Sequence, residues 1–331
     1  MRAMWAWALA FGLCGCATMQ MGSPAVSILV DLDPASTDRT VIVESITADQ
    51  QGQLYLADWV TGNILRVDPR ATKPVVVGRI ANRQIAGKSV RGEGRGIAFN
   101  SQGDLFVACD PFSEVVRLKR ADINPEKPGI AETFATGTDG ANGIAFDRKG
   151  NLYVTGARNG RIYRVGPAGG RAVVVLQVEL HTRILPDGKT QQPIVANGIV
   201  FDASGILYIT DTARGAIWKV AFADDGRAGN PILLTQSSLL EGADGLEFDR
   251  NGRLWVTANE RNALVMVTPD GKVQEIVTNG NKGPLEFPTA IVFVGGTAYI
   301  SNNDTPRGDN LDTIGKTSLD GIGAAVAQIT P

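Results

Sequence analysis

At 331 residues, 44% hydrophobic and 20% charged, the chain has an ordinary globular composition and can bury a large core. Its 32 basic and 34 acidic residues leave a formal charge of -2 without any Lys/Arg cluster, which argues against a phosphate-backbone binder, so no nucleic acid is expected as a partner. Glycine occupies 39 positions, above the usual ~7%, and sits singly, as in a chain of many tight turns.

The N-terminal run MRAMWAWALAFGLCGC carries one positive charge at Arg2 and then apolar residues from Ala3 to Leu13. That stretch is too short to span a bilayer as a mature helix and fits the apolar region of a secretory signal. Its end, Leu13-Cys14-Gly15-Cys16, resembles a bacterial lipobox, which implies a signal over residues 1–15, lipidation of Cys16 and a short linker over 16–24. Plain secretion and uncleaved anchoring are the other readings. Ala17 in place of Asp after Cys16 implies, by the same resemblance, passage to the outer membrane. The protein is therefore expected to be exported and periplasmic, touching membrane only through its lipid anchor. Cys109 is then the only other cysteine; in the apolar run LFVAC it reads as a buried strand residue, and no disulfide framework exists.

The next run, AVSILVDL from Ala25, is a strand candidate. Beyond it one pattern recurs six times: ESITADQQGQLYLAD from Glu44, RGIAFNSQGDLFVAC from Arg95, NGIAFDRKGNLYVTG from Asn142, NGIVFDASGILYITD from Asn197, DGLEFDRNGRLWVTA from Asp244, and the shorter TAIVFVGGTAYISN from Thr289. Successive starts lie 51, 47, 55, 47 and 45 residues apart. Each copy reads as two antiparallel strands joined by a tight turn, and further apolar runs such as NILRVDP and KPVVVGRI follow it. Four strands per ~48 residues is a propeller blade, so the pattern predicts an all-β, six-bladed β-propeller forming one domain over residues 25–331. Ring closure is expected to draw on AVSILVDL and the C-terminal run GAAVAQIT, with the outermost strand undecided. The insertions Lys119–Ala131, Glu179–Ala196 and Ser301–Ile314 are expected to be loops over a mouth of the tunnel.

Within each copy the third residue is Ile or Leu and the fifth is Phe in five of six, whereas the opening residue varies and is always polar. Blade symmetry turns all six toward the axis at one depth. Glu44, Asn142, Asn197 and Asp244 would there offer hard oxygen donors without His or Cys, a set suited to Ca²⁺ or another divalent cation. The alternative is simple polar lining of a wet tunnel. Arg95 supplies either a positive group at the mouth or a neutralising partner for Glu44, and Thr289 is a further substrate-binding candidate.

The quartet, with the segments PIVANGIVFDASGILYITDT and EGADGLEFDRNGRLWVTA, resembles the senescence marker protein, gluconolactonase and luciferin-regenerating enzyme family of regucalcin-like propellers. The resemblance implies a calcium-dependent hydrolase of a lactone or related ester, with a small-molecule substrate; a monomer is expected. Asp244 is the expected base and Glu44 supplies charge and position. Gly140 stands where gluconolactone-hydrolysing members carry an Arg, two residues before Asn142, which puts gluconolactone itself in doubt. The alternative function is a non-catalytic binding propeller, or a strictosidine-synthase-like relative. His181, the only histidine, reads as a loop-surface residue. No Gly-x-Ser-x-Gly elbow is present. Asp58, Asp110 and Asp211 read as strand-end hydrogen-bonding groups, or as groups that orient the ligands. Trp59, Trp218 and Trp255 are expected between blades.

Overall fold

The computed structural model describes residues 25–32, 40–180, 183–184, 190–191, 193–279, 283–304 and 324–331. Six small sheets form the six blades of a β-propeller. Their innermost strands are Val43–Ala48, Ile97–Phe99, Ala141–Phe146, Ile199–Phe201, Ala243–Phe248 and Pro288–Val294, one in each repeat. In blades 1 to 5 the tight turn after this strand is built by one Asp or Asn side chain; in blade 4 Asp202 Oδ1 accepts the N–H groups of Ser204 and Ile206 at 2.7 and 2.9 Å, and Gly205 takes the left-handed φ of 86° that this turn needs.

Four antiparallel strands per blade hold for blades 3 to 6 only. In blades 1 and 2 a fifth, parallel strand covers the outer edge: Gly129–Ile130 pairs with Pro74–Arg79, and Gly170–Arg171 with Glu132–Thr136. The Lys119–Ala131 insertion therefore lies along the rim of blade 1, not over a mouth. Asn124 N–H donates to Val77 O and Ala131 N–H to Arg79 O, which fixes it there. The two other insertions lie partly outside the described residues, as do His181, Cys16 and the whole N-terminal signal. The ring is closed by both chain ends. In blade 6 Ala325–Ile329 is the third strand and Ser27–Asp31 the outermost, paired antiparallel.

The repeat pattern explains how blades adhere. In blades 1 to 5 an aromatic residue eleven positions after the opening residue packs edge-on against the fifth-position Phe of the next blade: Tyr55 on Phe99, Phe106 on Phe146, Tyr153 on Phe201, Tyr208 on Phe248, and Trp255 on Phe293, with ring centroids 4.9 to 5.8 Å apart. Each such contact adds about 0.5–1.5 kcal/mol to the area it buries. The core is correspondingly divided into six apolar clusters, several of them shared between neighbouring blades. Trp218 and Trp255 lie in these layers, as their sequence context predicts. Cys109 is fully buried and free, and burial pushes its thiol up to about 12, so it is an inert strand residue. Among the described residues no helix is long and apolar enough to cross a membrane.

Candidate metal and active site

The opening residues are aimed by two backbone devices. In blades 1, 3, 5 and 6 the inner strand breaks register at the opening residue, between Val43 and Ile46, Ala141 and Ile144, Ala243 and Leu246, and Pro288 and Ala290. Such an irregularity re-aims the side chain out of the ladder. The second device is close approach between blades. A Cβ on Gly96, Gly143, Gly198 or Gly245 would stand 2.2 to 2.5 Å from the carbonyl oxygen of Asn142, Asn197, Asp244 or Thr289, the opening residue of the next blade. Only glycine permits that approach. Threonine hydroxyls thirteen residues after an opening residue lock some of these carbonyls: Thr155 Oγ1 donates to Asn197 O at 2.6 Å and Thr210 Oγ1 to Asp244 O at 2.5 Å.

A cavity of about 1100 Å³ opens at this end of the ring, lined by Glu44, Arg95, Asn197 and Asp244 among others. The structure thus brings three of the four predicted ligands to one cavity wall. The fourth, Asn142, lies between them in the ring, bonded through its carbonyl to Gly96 N–H at 2.9 Å. Its amide is 5% exposed and has no hydrogen-bond partner among the described residues. Thr289 departs from expectation: it is 1% exposed, its hydroxyl is 3.1 Å from that of Ser301, and it is absent from the cavity lining. It belongs to the wall, because Ser301 satisfies its hydroxyl behind the surface.

The position fifteen residues after the opening residue (fourteen in the shorter blade 6) holds three of the opening side chains, while in blade 3 it is Ala157. Asn259 Nδ2 donates to Asp244 Oδ2 at 2.9 Å, Asn303 Nδ2 to Glu44 Oε2 at 3.1 Å, and Asn197 Nδ2 donates to Thr212 Oγ1 at 3.0 Å. The last bond leaves the Asn197 amide oxygen as its available end. None of these partners was singled out from the sequence, although their fixed offset was a readable signal. The same position in blades 1 and 2 is Trp59 and Asp110. Trp59, expected between blades, lies under Arg95 of the next blade, whose guanidinium carbon is 3.9 Å from its ring centroid. Asp110 stands 3.9 Å from Arg95 Nη2. No ion pair joins Arg95 to Glu44. Asp58 and Asp211 do what strand-end carboxylates do: Asp58 accepts from the N–H groups of Ile42 and Val60, and Asp211 from Arg214 N–H and Trp218 Nε1.

Burial raises the proton affinity of Glu44, opposed by the Arg95 charge and the Asn303 bond. Asp244 is held well above the usual carboxylate range, first by burial and then by the Glu44 charge, with Asn259 and Arg95 opposing. Two desolvated carboxylates repelling each other, an amide without a partner and an outward amide oxygen together fit a hard cation. Among the described residues no three His, Cys, Asp or Glu side chains cluster to hold a metal; this set has two carboxylates, and its other donors are amides.

Fold and site together define a six-bladed propeller with an oxygen-lined axial pocket. Residues 183–301 match the SMP-30/Gluconolactonase/LRE-like region, and residues 133–162 a β-propeller repeat. The resemblance read from the sequence is thereby borne out. The chain is 27% identical over 286 residues to a lactonase drp35 of Staphylococcus aureus strain bovine RF122 / ET3-1, covering 80% of each. Among solved structures it superposes on a calcium-binding regucalcin from Agrobacterium tumefaciens with a TM-score of 0.64 at 15% identity, covering 93% of this chain and 95% of that one. On a gluconolactonase from Xanthomonas campestris the TM-score is 0.61 at 15% identity, covering 93% and 90%.

Proposed function

We propose that the protein is a lactonase-type hydrolase that uses a divalent cation, Ca²⁺ by the chemistry of its donors, held by Glu44, Asn142, Asn197 and Asp244. The observation that carries this reading is the convergence of two buried, mutually repelling carboxylates and the Asn197 amide on one cavity wall, with the Asn142 amide beside them in the ring. The lactonase relatives in Staphylococcus support the reaction class. A bound cation would supply polarisation of the scissile carbonyl and stabilisation of the charge that develops on its oxygen.

The chain's own residues supply the rest. Asp244 keeps Oδ2 on Asn259, so Oδ1 is the oxygen placed to take a proton from water as that water adds to the carbonyl carbon. The acyl C–O bond then breaks, the ring oxygen leaves with a proton, and a hydroxy acid results. Glu44, fixed by Asn303, contributes charge and position. The same reading includes export, tethering through a lipid on Cys16 and a monomeric state.

The test is a calcium titration followed by turnover on aldonolactones, acyl-homoserine lactones, aryl esters and organophosphates. We expect Glu44→Gln to weaken calcium binding at least ~100-fold and Asp244→Asn to lower turnover by about 10²–10⁴-fold. Full turnover by Asp244→Asn with calcium bound overturns the assignment of the base. Unchanged calcium affinity in Glu44→Gln overturns the metal site.

A further inference from the structure

Arg95 differs from every other opening residue in what surrounds it. Its guanidinium lines the cavity, has its central carbon 3.9 Å from the Trp59 ring centroid and forms no hydrogen bond among the described residues. Nε is buried without a partner, and Nη2 reaches only to 3.9 Å from Asp110. The Arg95 side chain is 20% exposed and the Asp110 carboxylate 42%, so that pair is long and wet, worth little to either group. A guanidinium carries five donors in a fixed fork, and leaving them unused while largely desolvated is unfavourable. Trp59 offers no hydrogen bond to the fork, yet it packs against it and favours its charge through the ring face.

We propose that Arg95 on its Trp59 platform is a receptor for a carboxylate, and that the substrate is a lactone or ester bearing a carboxylate besides the carbonyl that is attacked. The inference rests on the hydrolase reading only for the word substrate; the anion subsite stands on its own geometry. A planar carboxylate matches the guanidinium fork through two parallel N–H···O bonds. One guanidinium suits a singly charged group. The two other cavity arginines are already partnered: Arg214 by Glu179 at 3.0 Å and Asp211 at 3.7 Å, and Arg158 also has a partner. Glu241 and Glu260 also line the cavity, and they disfavour a doubly charged phosphate more than a carboxylate. Arg95 sits in the same ring as Glu44 and Asn142, so a carboxylate in its fork would place the rest of a small molecule over the axial oxygens.

The mature protein, calcium-loaded, is titrated with 2-pyrrolidone-5-carboxylate, a lactam isostere of a five-membered lactone carrying a carboxylate, and with the corresponding carboxamide. Calorimetry and tryptophan fluorescence are the readouts. We expect the carboxylate to bind at least ~10-fold more tightly than the carboxamide. In Arg95→Gln that ratio collapses to about one, and Arg95→Lys, which keeps the charge but not the fork, recovers part of it. Equal affinities in the wild type, or a preference that survives in Arg95→Gln, overturn the proposal; the wild-type comparison decides even where a variant fails to fold. An Arg95-dependent preference without turnover of any lactone leaves the subsite standing and removes the hydrolase reading. Turnover of neutral lactones without any preference for the carboxylate does the reverse.

Discussion

Blades 4 and 5 and blades 1 and 2 are built from the same repeat but hold their opening residues differently. In the first arc, glycine follows the opening residue (Gly198, Gly245) and a threonine hydroxyl stands thirteen residues after it (Thr210, Thr257). The Thr210 hydroxyl accepts from Gly198 N–H at 2.7 Å and donates to Asp244 O at 2.5 Å. In the second arc the thirteenth position is Ala57 or Ala108, and Ser45 replaces the glycine of blade 1. There the opening side chain is held by what lies beside it, Asn303 for Glu44 and Trp59 for Arg95. The difference teaches that the amide and carboxylate donors of blades 4 and 5 are positioned through their backbone in addition to their side-chain bonds with Thr212 and Asn259. Glu44 and Arg95 are positioned through their side-chain neighbours, where a substitution can change chemistry without disturbing the ring.

Breaking the clamped arc should therefore have the largest effect. A methyl on Gly198 would meet Asp244 O at 2.3 Å and Leu246 Cδ2 at 2.8 Å, and a carbonyl cannot swing aside as a side-chain tip does. Gly198→Ala is expected to destabilise by about 2–3 kcal/mol and to lower thermal unfolding by several degrees. Ser45→Gly, at the equivalent place in the open arc, should change it by less than about 1 kcal/mol. Equal effects of the two in calorimetric melts would dissolve the distinction. Thr210→Val keeps the volume and removes both hydroxyl bonds, leaving Gly198 N–H and Asp244 O to lose them together. A loss of about 1–3 kcal/mol is expected, with a fall in turnover because the Asp244 backbone is released. Urea unfolding of Thr210→Val beside Ala108→Ser separates the arcs, since the latter has no carbonyl contact to replace.

The blade count, the strand pairs and the axial placement of the opening residues were legible because they repeat with a period that few architectures share. What escaped was whatever depends on two blades at once. Trp59 reads like any strand-end aromatic until the neighbouring Arg95 is placed over it. Thr289 reads like the other opening residues until Ser301 is seen behind it. Asn259, Asn303 and Thr212 share an offset that the pattern exposes, yet only the inter-strand register shows that they meet Asp244, Glu44 and Asn197. The fifth strands of blades 1 and 2 come from loops without hydrophobic periodicity, so no pattern announces them.

The smallest expected effect concerns the second acidic residue of the blade 5 repeat, on its inner strand. Its fourth position is Glu247, where the corresponding residues of blades 2, 3 and 4 are Ala98, Ala145 and Val200. Glu247 pairs with Trp255 across the strands and so shares its face. Burial raises its carboxyl from an ordinary 4.5 to about 7, although Phe248 N–H donates to Oε1 at 2.9 Å and favours the charged form. The folded state therefore binds its proton more tightly than the unfolded chain. Between about pH 4.5 and 7 the folded state holds more protons, so stability falls as pH rises and the full loss is present above 7. The side chain is half-buried, and solvent reduces the loss to on the order of 1 kcal/mol. Glu247→Gln, neutral at every pH, should match the wild type near pH 4.5 and exceed it by that amount at pH 8. Melting curves at the two pH values measure the difference. A gap independent of pH would mean that shape, and not charge, sets blade 5 apart at this position.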